Sequence, residues 1–318
     1  MSDKLLSNKE GRILSINIFS LGALQFANYF LPLITFPYIA YTLGPEKFGI
    51  IALANATVVY FSLITDYGFN LTATQSISRF RDSQEKINNI FSSVMCIKTF
   101  LMMVSMILFL LLIISVPKIL NYWPVFVIAF GTVLGQMLLP LWLFHGLEDM
   151  KFVAFISVIN KLCYTFCVFI FVQSEDDYLL IPFFLAIGSI IIGLISLWIA
   201  KNKLGVSFIK PTFNQIKFHF IDGWYVFASS LSMSLYASSP IFILGLSANN
   251  NIVGLYAAAD KLIQVAKGIY TPISQALFPL VSKKINDNRD TGLAFLKKAG
   301  TLSCITMFLV CFLIFMFG

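Results

Sequence analysis

The stretch that decides the fold is TDYGFNLTATQSISRFRDS, residues 65–83. It follows an apolar run over 48–64 and opens with the carboxylate Asp66. Asn, Thr, Gln and Ser residues come next, and the first basic residues are Arg79 and Arg81. A buried helix of a soluble protein would end sooner, and a simple membrane span would reach basic residues at once. The stretch therefore predicts a membrane helix that stays helical beyond the apolar run, with a polar end before Arg79.

The composition predicts an all-α integral membrane protein. Of 318 residues, 58% are hydrophobic and 12% are charged, and the mean hydropathy is +0.85. The charged share is about half that of a soluble domain. The net charge of +7 could suggest nucleic acid, but the basic residues lie in short clusters between apolar runs. No nucleic-acid partner is predicted from such a pattern.

Apolar runs long enough to cross a membrane divide the chain into two parts. Spans of roughly 20 residues are needed, and about nine are predicted, at 14–41, 48–76, 91–116, 123–145, 152–172, 178–200, 223–246, 252–281 and 299–317. We predict an N-terminal six-helix lobe over 1–200, a cytoplasmic connection over 201–222, and the first three helices of a second lobe over 223–318.

The positions of lysine and arginine predict the orientation. The N-terminus and the even-numbered connections hold most of them, including Arg79, Arg81 and Lys98. The odd-numbered connections hold only Lys47 and Lys118. By the positive-inside rule the N-terminus is cytoplasmic.

An internal repeat relates two of the predicted spans. FGIIALAN (48–55) aligns with VGLYAAAD (253–260), which places Gly49 on Gly254 and Asn55 on Asp260, 205 residues apart. Six spans separate the two segments, so both halves have the same orientation. This layout is a parallel repeat of the kind found in transporters.

Helical spacing predicts a polar seam on both related helices. In the first half the seam is Asn55, Ser62, Asp66 and Asn70. In the second half the matching residues are Asp260, Lys267, Thr271 and Gln275, with Gln264 on the same stripe. In lipid such a seam must face protein or water. It could serve as contact between helices or as the wall of a cavity, and the spacing leaves both open.

Charges inside predicted spans point to function. A charge at the bilayer centre costs roughly 2.5–3.5 kcal/mol on insertion scales. Lys161 lies near the middle of the fifth span and Lys267 on the seam, so we predict that both face a cavity. Asp66 lies nearer the cytoplasmic interface, where a position at the mouth, contact with a lysine and a site of protonation all remain open.

The chemistry of an enzyme is not indicated. The sequence has no P-loop, no HExxH and no GxSxG motif, and its cysteines have no nearby histidine. The acidic run Glu175–Asp177 is predicted to be a solvated turn and not a metal site. No cofactor is predicted. The outward connections are too short for a catalytic domain, so the predicted activity is transport without making or breaking a bond.

Three stretches carry a resemblance to a known family. They are LPLITFPYIAYTLGPEKFGIIALANA (31–56), TDYGFNLTATQSIS (65–78) and LPLWLFHGLEDMK (139–151). They resemble the O-antigen flippases, or Wzx-type polysaccharide transporters. These belong to the multidrug/oligosaccharidyl-lipid/polysaccharide exporter superfamily.

The resemblance implies a fold, an activity and partners. The fold is a twelve-helix bundle of two lobes around a central cavity. The activity moves an undecaprenyl-pyrophosphate-linked oligosaccharide from the cytoplasmic to the periplasmic leaflet of the bacterial inner membrane, for lipopolysaccharide biosynthesis. Partners are that lipid-linked oligosaccharide, membrane lipid and, as candidates, the polymerase and chain-length regulator.

The resemblance also implies roles for residues that the seam and the spans had singled out. The resemblance implies that transport uses an ion gradient and that the lumen is cationic. Lys161 and Lys267 become candidates to bind pyrophosphate. The other cavity candidates are Asp260, Gln264 and Asn55, and the candidates for ion coupling are Asp66 and Asp260.

Other functions remain open at this stage. An ion-coupled multidrug exporter of the same superfamily would favour acidic residues in the lumen. A membrane polymerase or ligase would need a larger external loop. The sequence covers about nine of the twelve expected spans, so it is either a fragment of a longer protein or a shortened gene product, and an inactive remnant without transport of its own stays an alternative. The sugars, the coupling ion and the oligomeric state are not indicated by the sequence.

Overall fold

The computed structural model describes the backbone of residues 2–264 and 300–301, and side chains from Leu31 onward within those ranges, Leu33 excepted. The chain forms two compact units, Met1–Gly254 and Leu255–Gly318. The described backbone is helical with short connections and contains no strand. The predicted all-α membrane fold is therefore confirmed for this part of the chain.

The helices of the first unit follow the predicted spans closely. In chain order they are α1 (Ser2–Asp66), α2 (Phe69–Arg79), α3 (Gln84–Ser115), α4 (Pro117–Asn121), α5 (Trp123–Leu138), α6 (Leu141–Gly146), α7 (Lys151–Phe171), a 3₁₀ turn (Glu175–Leu179), α8 (Leu180–Asn202) and α9 (Phe213–Ser247). A further helix begins at residue 250 and is described to residue 264. Within the described ranges, six helical segments are long and apolar enough to cross a membrane. The ninth predicted span, 299–317, lies outside the described residues except for 300–301.

The first two predicted spans form one helix with a sharp kink. Gly44 has φ +66° and ψ 169°, which is not helical, and it divides α1 into two arms. Positive φ is easily adopted only by glycine, so the break falls between the two predicted spans. The acidic run Glu175–Asp177 forms the 3₁₀ turn, in which the Ser174 hydroxyl and the Asp177 carboxylate make a capping box. The prediction of a turn is confirmed there.

The polar end of the second span is not a continuous helix, which corrects the sequence-based prediction. Tyr67 and Gly68 both have positive φ, +50° and +81°. They form an elbow between α1 and α2. The Tyr67 ring stacks on Phe220 and Phe227 of α9, with ring centroids 4.6 and 5.0 Å away. The elbow turns α2 away from the line of α1, because α9 occupies the space beside it.

The polar residues of α2 are used to attach it to α6. The Thr74 hydroxyl donates a hydrogen bond to the Trp142 carbonyl oxygen at 3.2 Å. Beyond the end of α2, Arg81 forms an ion pair with Glu148 at 2.8 Å. The hydrogen bond to Glu148 and its negative charge raise the pKa of Arg81. Within the polar stretch of α2, Thr74 therefore contacts α6, and Arg81 beyond the helix is paired.

Glycines bring α5 and α8 into close contact. A Cβ on Gly131 would lie 2.9 Å from the Ala186 Cβ, and one on Gly135 would lie 2.3 Å from the Ser189 Oγ. Only glycine fits at these separations. The sequence GTVLG predicts such a contact, and the structure confirms it.

The internal repeat appears as a reciprocal contact between equivalent residues. A Cβ on Gly49 would meet the Asn250 carbonyl oxygen, and one on Gly254 would meet the Pro45 carbonyl oxygen, each at about 2 Å. Pro45 and Asn250 are themselves 205 residues apart, the offset that relates Gly49 to Gly254. A contact in which residue i meets j′ and j meets i′ is isologous, as across a two-fold axis. The geometry thus confirms the alignment of the two glycines.

The start of the connection after α8 is held on one face of α3. Gln84 donates to the carbonyl oxygens of Leu204 and Gly205 at 3.3 and 3.1 Å. Asn88 exchanges two hydrogen bonds with Ser207, at 2.9 and 3.0 Å. These side chains stand four residues apart and share a helix face. Residues 204–207 are therefore part of the first unit's packed structure.

Candidate functional site

A cavity of about 710 Å³, lined by both apolar and polar side chains, lies within the first unit. Its volume falls in the range of about 300–1,000 Å³ that is usual for ligand sites. Residues of α1, α2, α5, α6, α7 and α8 form its wall. The polar ones are Thr35, Asn55, Ser62, Asp66, Asn70, Thr132, Gln136, Asn160, Lys161, Tyr164, Thr165 and Ser189.

The whole predicted seam of the first half lines this cavity. Asn55, Ser62 and Asp66 come from α1, and Asn70 comes from α2 beyond the elbow. The Asn70 side chain donates a hydrogen bond to Asp66 Oδ1 at 2.9 Å. Although the helix is broken at Tyr67–Gly68, the elbow keeps Asn70 beside Asp66. All four residues of this seam are therefore part of the wall of a cavity, and their role in binding stays a prediction.

Lys161 lines the same cavity from α7, together with Asn160, Tyr164 and Thr165. Its side chain is thus part of the cavity wall, and its role in binding stays a prediction. A Cβ on Gly188 of α8 would lie 2.4 Å from Asn160 Oδ1, so this glycine makes room for the carboxamide. The close approach of α5, α7 and α8 thus determines where the polar side chains of α7 stand.

The cavity holds polar atoms that the described residues do not satisfy. Ser62 Oγ and Thr165 Oγ1 are buried and have no hydrogen-bond partner in the part of the chain that the structure describes. Thr132 and Ser189, by contrast, donate to carbonyl oxygens of their own helices at 2.7 and 2.8 Å. An unpaired buried hydroxyl costs free energy. Both oxygens are fully buried, so in this structure they do not face a ligand in the cavity.

Lys98 is the functional residue that the sequence analysis misplaced. We counted it with a cytoplasmic connection, but it lies inside α3 and its side chain is only 2% exposed. Its Nζ lies 3.7 Å from Asp66 Oδ1 and donates to the Gln136 carbonyl oxygen at 3.3 Å. Of the three positions left open for Asp66, contact with a lysine is the one observed.

A signal for Lys98 was present in the sequence. The buried residues of α3 recur at helical spacing, at Val94, Lys98, Leu101, Ser105 and Phe109. Lys98 stands on that buried stripe, four residues after Val94 and seven before Ser105. Hydrophobic periodicity would have placed it in the helix core, whereas position along the chain alone suggested a connection.

The site residues of the second half belong to the unit Leu255–Gly318, which is described by itself. Asp260 accepts a hydrogen bond from Gln264 at 2.6 Å, and Lys261 donates to the Gln264 side-chain oxygen at 3.3 Å. These three residues form a local polar group on the helix over 250–264. Lys267, Thr271 and Gln275 lie outside the described residues.

Within the described ranges, no group of three or more His, Cys, Asp or Glu side chains could hold a metal ion. The wall of the cavity is instead rich in hydroxyls and carboxamides, and Lys161 provides a positive charge. This donor set suits a hydroxyl-rich ligand that carries a negative charge.

Comparison with known proteins identifies the family. The family model described as "Polysaccharide biosynthesis protein" matches residues 14–285. The chain belongs to this family. A protein of Escherichia coli (strain K12) named "Putative O-antigen transporter" is 34% identical over 292 residues, which cover 92% of this chain and 70% of the relative.

A second relative and the solved structures complete the comparison. A protein of Shigella dysenteriae with the same name is 34% identical over 267 residues, covering 84% of this chain and 67% of the relative. No solved structure matches the chain. Family membership together with six long apolar helices in the described residues makes this a multi-pass membrane protein.

Proposed function

We propose that this chain is a flippase for O-antigen repeat units. It moves an undecaprenyl-pyrophosphate-linked oligosaccharide from the cytoplasmic to the periplasmic leaflet of the bacterial inner membrane. The observation that carries the proposal is the cavity, whose wall joins carboxamides and hydroxyls to the lysine Lys161 inside a membrane helix bundle. The two relatives named as O-antigen transporters support the same function.

The physical task explains why such a wall is needed. Each sugar hydroxyl left unpaired in hydrocarbon costs several kcal/mol. The carboxamides of Asn55 and Asn160 on the cavity wall can give these groups partners. The lipid tail can stay in the bilayer while the headgroup crosses through the bundle. No bond is made or broken in this process, so we propose a transporter and not an enzyme.

Lys161 is the proposed partner of the pyrophosphate in the first half. A lysine ammonium binds phosphate oxygens as a point charge, and the low dielectric of a membrane bundle strengthens the attraction. In the second half we propose Asp260, Gln264 and Lys267 for the same substrate, as the repeat relates their helix to that of Asn55. Membrane lipid surrounds the bundle, and the polymerase and chain-length regulator are proposed partners at its surface.

Asp66 and Asp260 are the proposed sites of ion coupling. Asp66 is the carboxylate among the residues that line the described cavity. One charge moved against 100 mV is worth roughly 2.3 kcal/mol, enough to bias a transport cycle. Because Lys98 already pairs with Asp66, a coupling cation would reach the carboxylate from its cavity side and compete with that ammonium for its negative charge.

The proposed orientation places the N-terminus in the cytoplasm. Lys47 and Lys118 remain the basic residues of the predicted outer connections. Lys118 Nζ donates to the Ala248 carbonyl oxygen, and burial lowers its pKa. The proposed orientation rests on the larger basic clusters of the N-terminus and the even-numbered connections.

Deletion of the gene in its own host tests the function directly. We expect the undecaprenyl-linked oligosaccharide to accumulate on the cytoplasmic face and the surface polymer to be lost. Expression of the chain from a plasmid should restore the polymer. Unchanged polymer, with no accumulated intermediate, would reject the proposal in favour of a multidrug exporter or a chain without transport. An unchanged leaflet distribution with altered sugars would indicate an enzyme.

A further inference from the structure

The ion pair beside the cavity has one buried member and one that reaches the cavity. The Lys98 side chain is 2% exposed and that of Asp66 is 29% exposed. Lys98 approaches from α3 and is also fixed by the Gln136 carbonyl oxygen of α5. Asp66 therefore presents one side to the buried ammonium and the other to the cavity.

The pair changes the net charge that a ligand meets. Among the described residues that line the cavity, the charged side chains are Asp66 and Lys161, and Tyr164 is the further ionisable group. These two charges alone would cancel. Lys98, behind Asp66, adds a second ammonium, so its charge offsets that of Asp66 among the residues that the structure describes.

We propose that Lys98 is a positioning residue that neutralises the negative charge of Asp66, so that the cavity can hold an anionic ligand. The carboxylate oxygens can then accept hydrogen bonds from sugar hydroxyls without repelling the diphosphate that carries the sugar. This inference rests on the proposed function and specifies how the site admits an anionic headgroup. Asn70, which donates to Asp66 at 2.9 Å, holds the carboxylate in the same place.

Packing alone does not account for a lysine at this position. The neighbours on the buried stripe of α3 include Val94 and Leu101, which fill space without a charge. A buried ion pair contributes little stability compared with well-packed apolar residues of the same volume. The buried charge of Lys98 is therefore better explained by a function than by packing, and that function is its pairing with the Asp66 carboxylate that reaches the cavity.

Binding of pyrophosphate to purified protein tests the inference. The wild-type chain and its variants would be placed in lipid nanodiscs with a fluorescent undecaprenyl-diphosphate-linked oligosaccharide, and inorganic pyrophosphate would be the competitor. One charge about 10 Å away, at an effective dielectric of about 20, changes an affinity by roughly tenfold. We expect Lys98→Met to weaken pyrophosphate competition by about that factor, because Asp66 is left unneutralised.

Charge-compensating variants separate this role from a structural one. The double variant Lys98→Met with Asp66→Asn should regain most of the pyrophosphate affinity, and Lys98→Arg should stay close to the wild type. Asp66→Asn alone should bind pyrophosphate more tightly than the wild type, because Lys98 is then uncompensated. The control is Lys86→Met, an exposed lysine of the same helix, which should change nothing.

Two results would overturn the inference. In one, folded Lys98→Met competes as the wild type does. In the other, the double variant is folded but no better than Lys98→Met, which would make the pair structural only. Should Lys98→Met fail to fold, Asp66→Asn still decides, since unchanged or weaker pyrophosphate binding would contradict the proposal. A wild-type chain that binds neither probe nor pyrophosphate would instead reject the proposed function itself.

Discussion

At the scale of single residues, the site depends on charges that helices bring together from distant parts of the sequence. Periodicity predicted Asn55, Ser62, Asp66 and Asn70 on one stripe because consecutive turns of one helix repeat every 3.6 residues. It could not pair Asp66 with Lys98, since that contact depends on how α3 packs against α1. The sequence thus gives the members of one helix face, and packing decides which faces meet.

Lys161 offers the most direct test at this scale. Lys161→Gln removes the charge at nearly the same length, and we expect transport of the lipid-linked oligosaccharide to fall at least tenfold, since one phosphate contact to a charged group is worth about 1.5–3 kcal/mol. Lys161→Arg keeps the charge and should retain much of the activity. Recovery of surface polymer in the deletion strain is the measurement, and Lys86→Met is the matched control. Full complementation by Lys161→Gln would remove Lys161 from the binding site.

At the scale of helices, the least predictable feature is the elbow at Tyr67–Gly68. Nothing in TDYGFNLT forces a break, because Asp-Tyr-Gly is compatible with a helix end or with a tolerated mid-helix glycine. The break is set by α9: a Cβ on Gly68 would lie 2.8 Å from the Val226 side chain, 158 residues away in sequence. A long-range contact of this kind lies beyond any local pattern.

A comparison of Gly68 at the elbow with Gly205 in the connection after α8 separates two costs of adding a side chain, backbone strain and steric overlap. Gly68 has φ +81° and Gly205 has φ +64°, but a Cβ on Gly205 meets nothing nearer than 4.0 Å. Gly205→Ala should cost about 1 kcal/mol, the penalty of a left-handed residue. Gly68→Ala should cost about 1–3 kcal/mol more, because the added methyl group also overlaps α9. Thermal unfolding in detergent measures the loss of stability of both variants, and equal losses would mean that the Val226 side chain moves aside at no cost.

The attachment of the connection to α3 gives a second prediction for the helices. Asn88→Ala removes both hydrogen bonds to Ser207 and leaves its backbone N–H without this partner. We expect a loss of about 1–3 kcal/mol and faster tryptic cleavage after Lys203, which directly precedes the attached residues. Asn89→Ala, on the next position of the same helix, is the control. Cleavage at equal rates in the two variants would show that Asn88 does not hold the segment.

At the scale of the whole chain, the repeat is more than a similarity of sequence. The alignment predicted that Gly49 and Gly254 are equivalent, and in the structure they lie in one reciprocal contact. The sequence indicated the offset of 205 residues but not the contact, because an alignment says which residues correspond and not where the axis runs. The lobe boundaries at 200 and 223 stay a prediction.

The reciprocal contact makes a prediction of equality. Gly49→Ala and Gly254→Ala should each destabilise the protein by about 1–3 kcal/mol or more, since each new Cβ would overlap a carbonyl oxygen. The two losses should agree within about 0.5 kcal/mol, and the double variant should lose less than their sum, because both act at one contact. Gly300→Ala, where a Cβ meets nothing within 4 Å, is the control. A Gly49→Ala variant as stable as that control would contradict the contact.

The glycine contact also has a mechanical consequence. At Gly49 and Gly254 the two backbones meet without an intervening side chain, so at this point little side-chain rearrangement is needed for one helix to turn on the other. At the other end of the same helix, Tyr67 is clasped between Phe220 and Phe227 and cannot turn without unstacking. The second arm of α1 therefore has a contact that permits rotation near Gly49 and a contact that resists it just beyond Asp66. A rotation of this arm of α1 would cost the least free energy at the glycine contact, and the first interaction it would disrupt is the stacking of Tyr67.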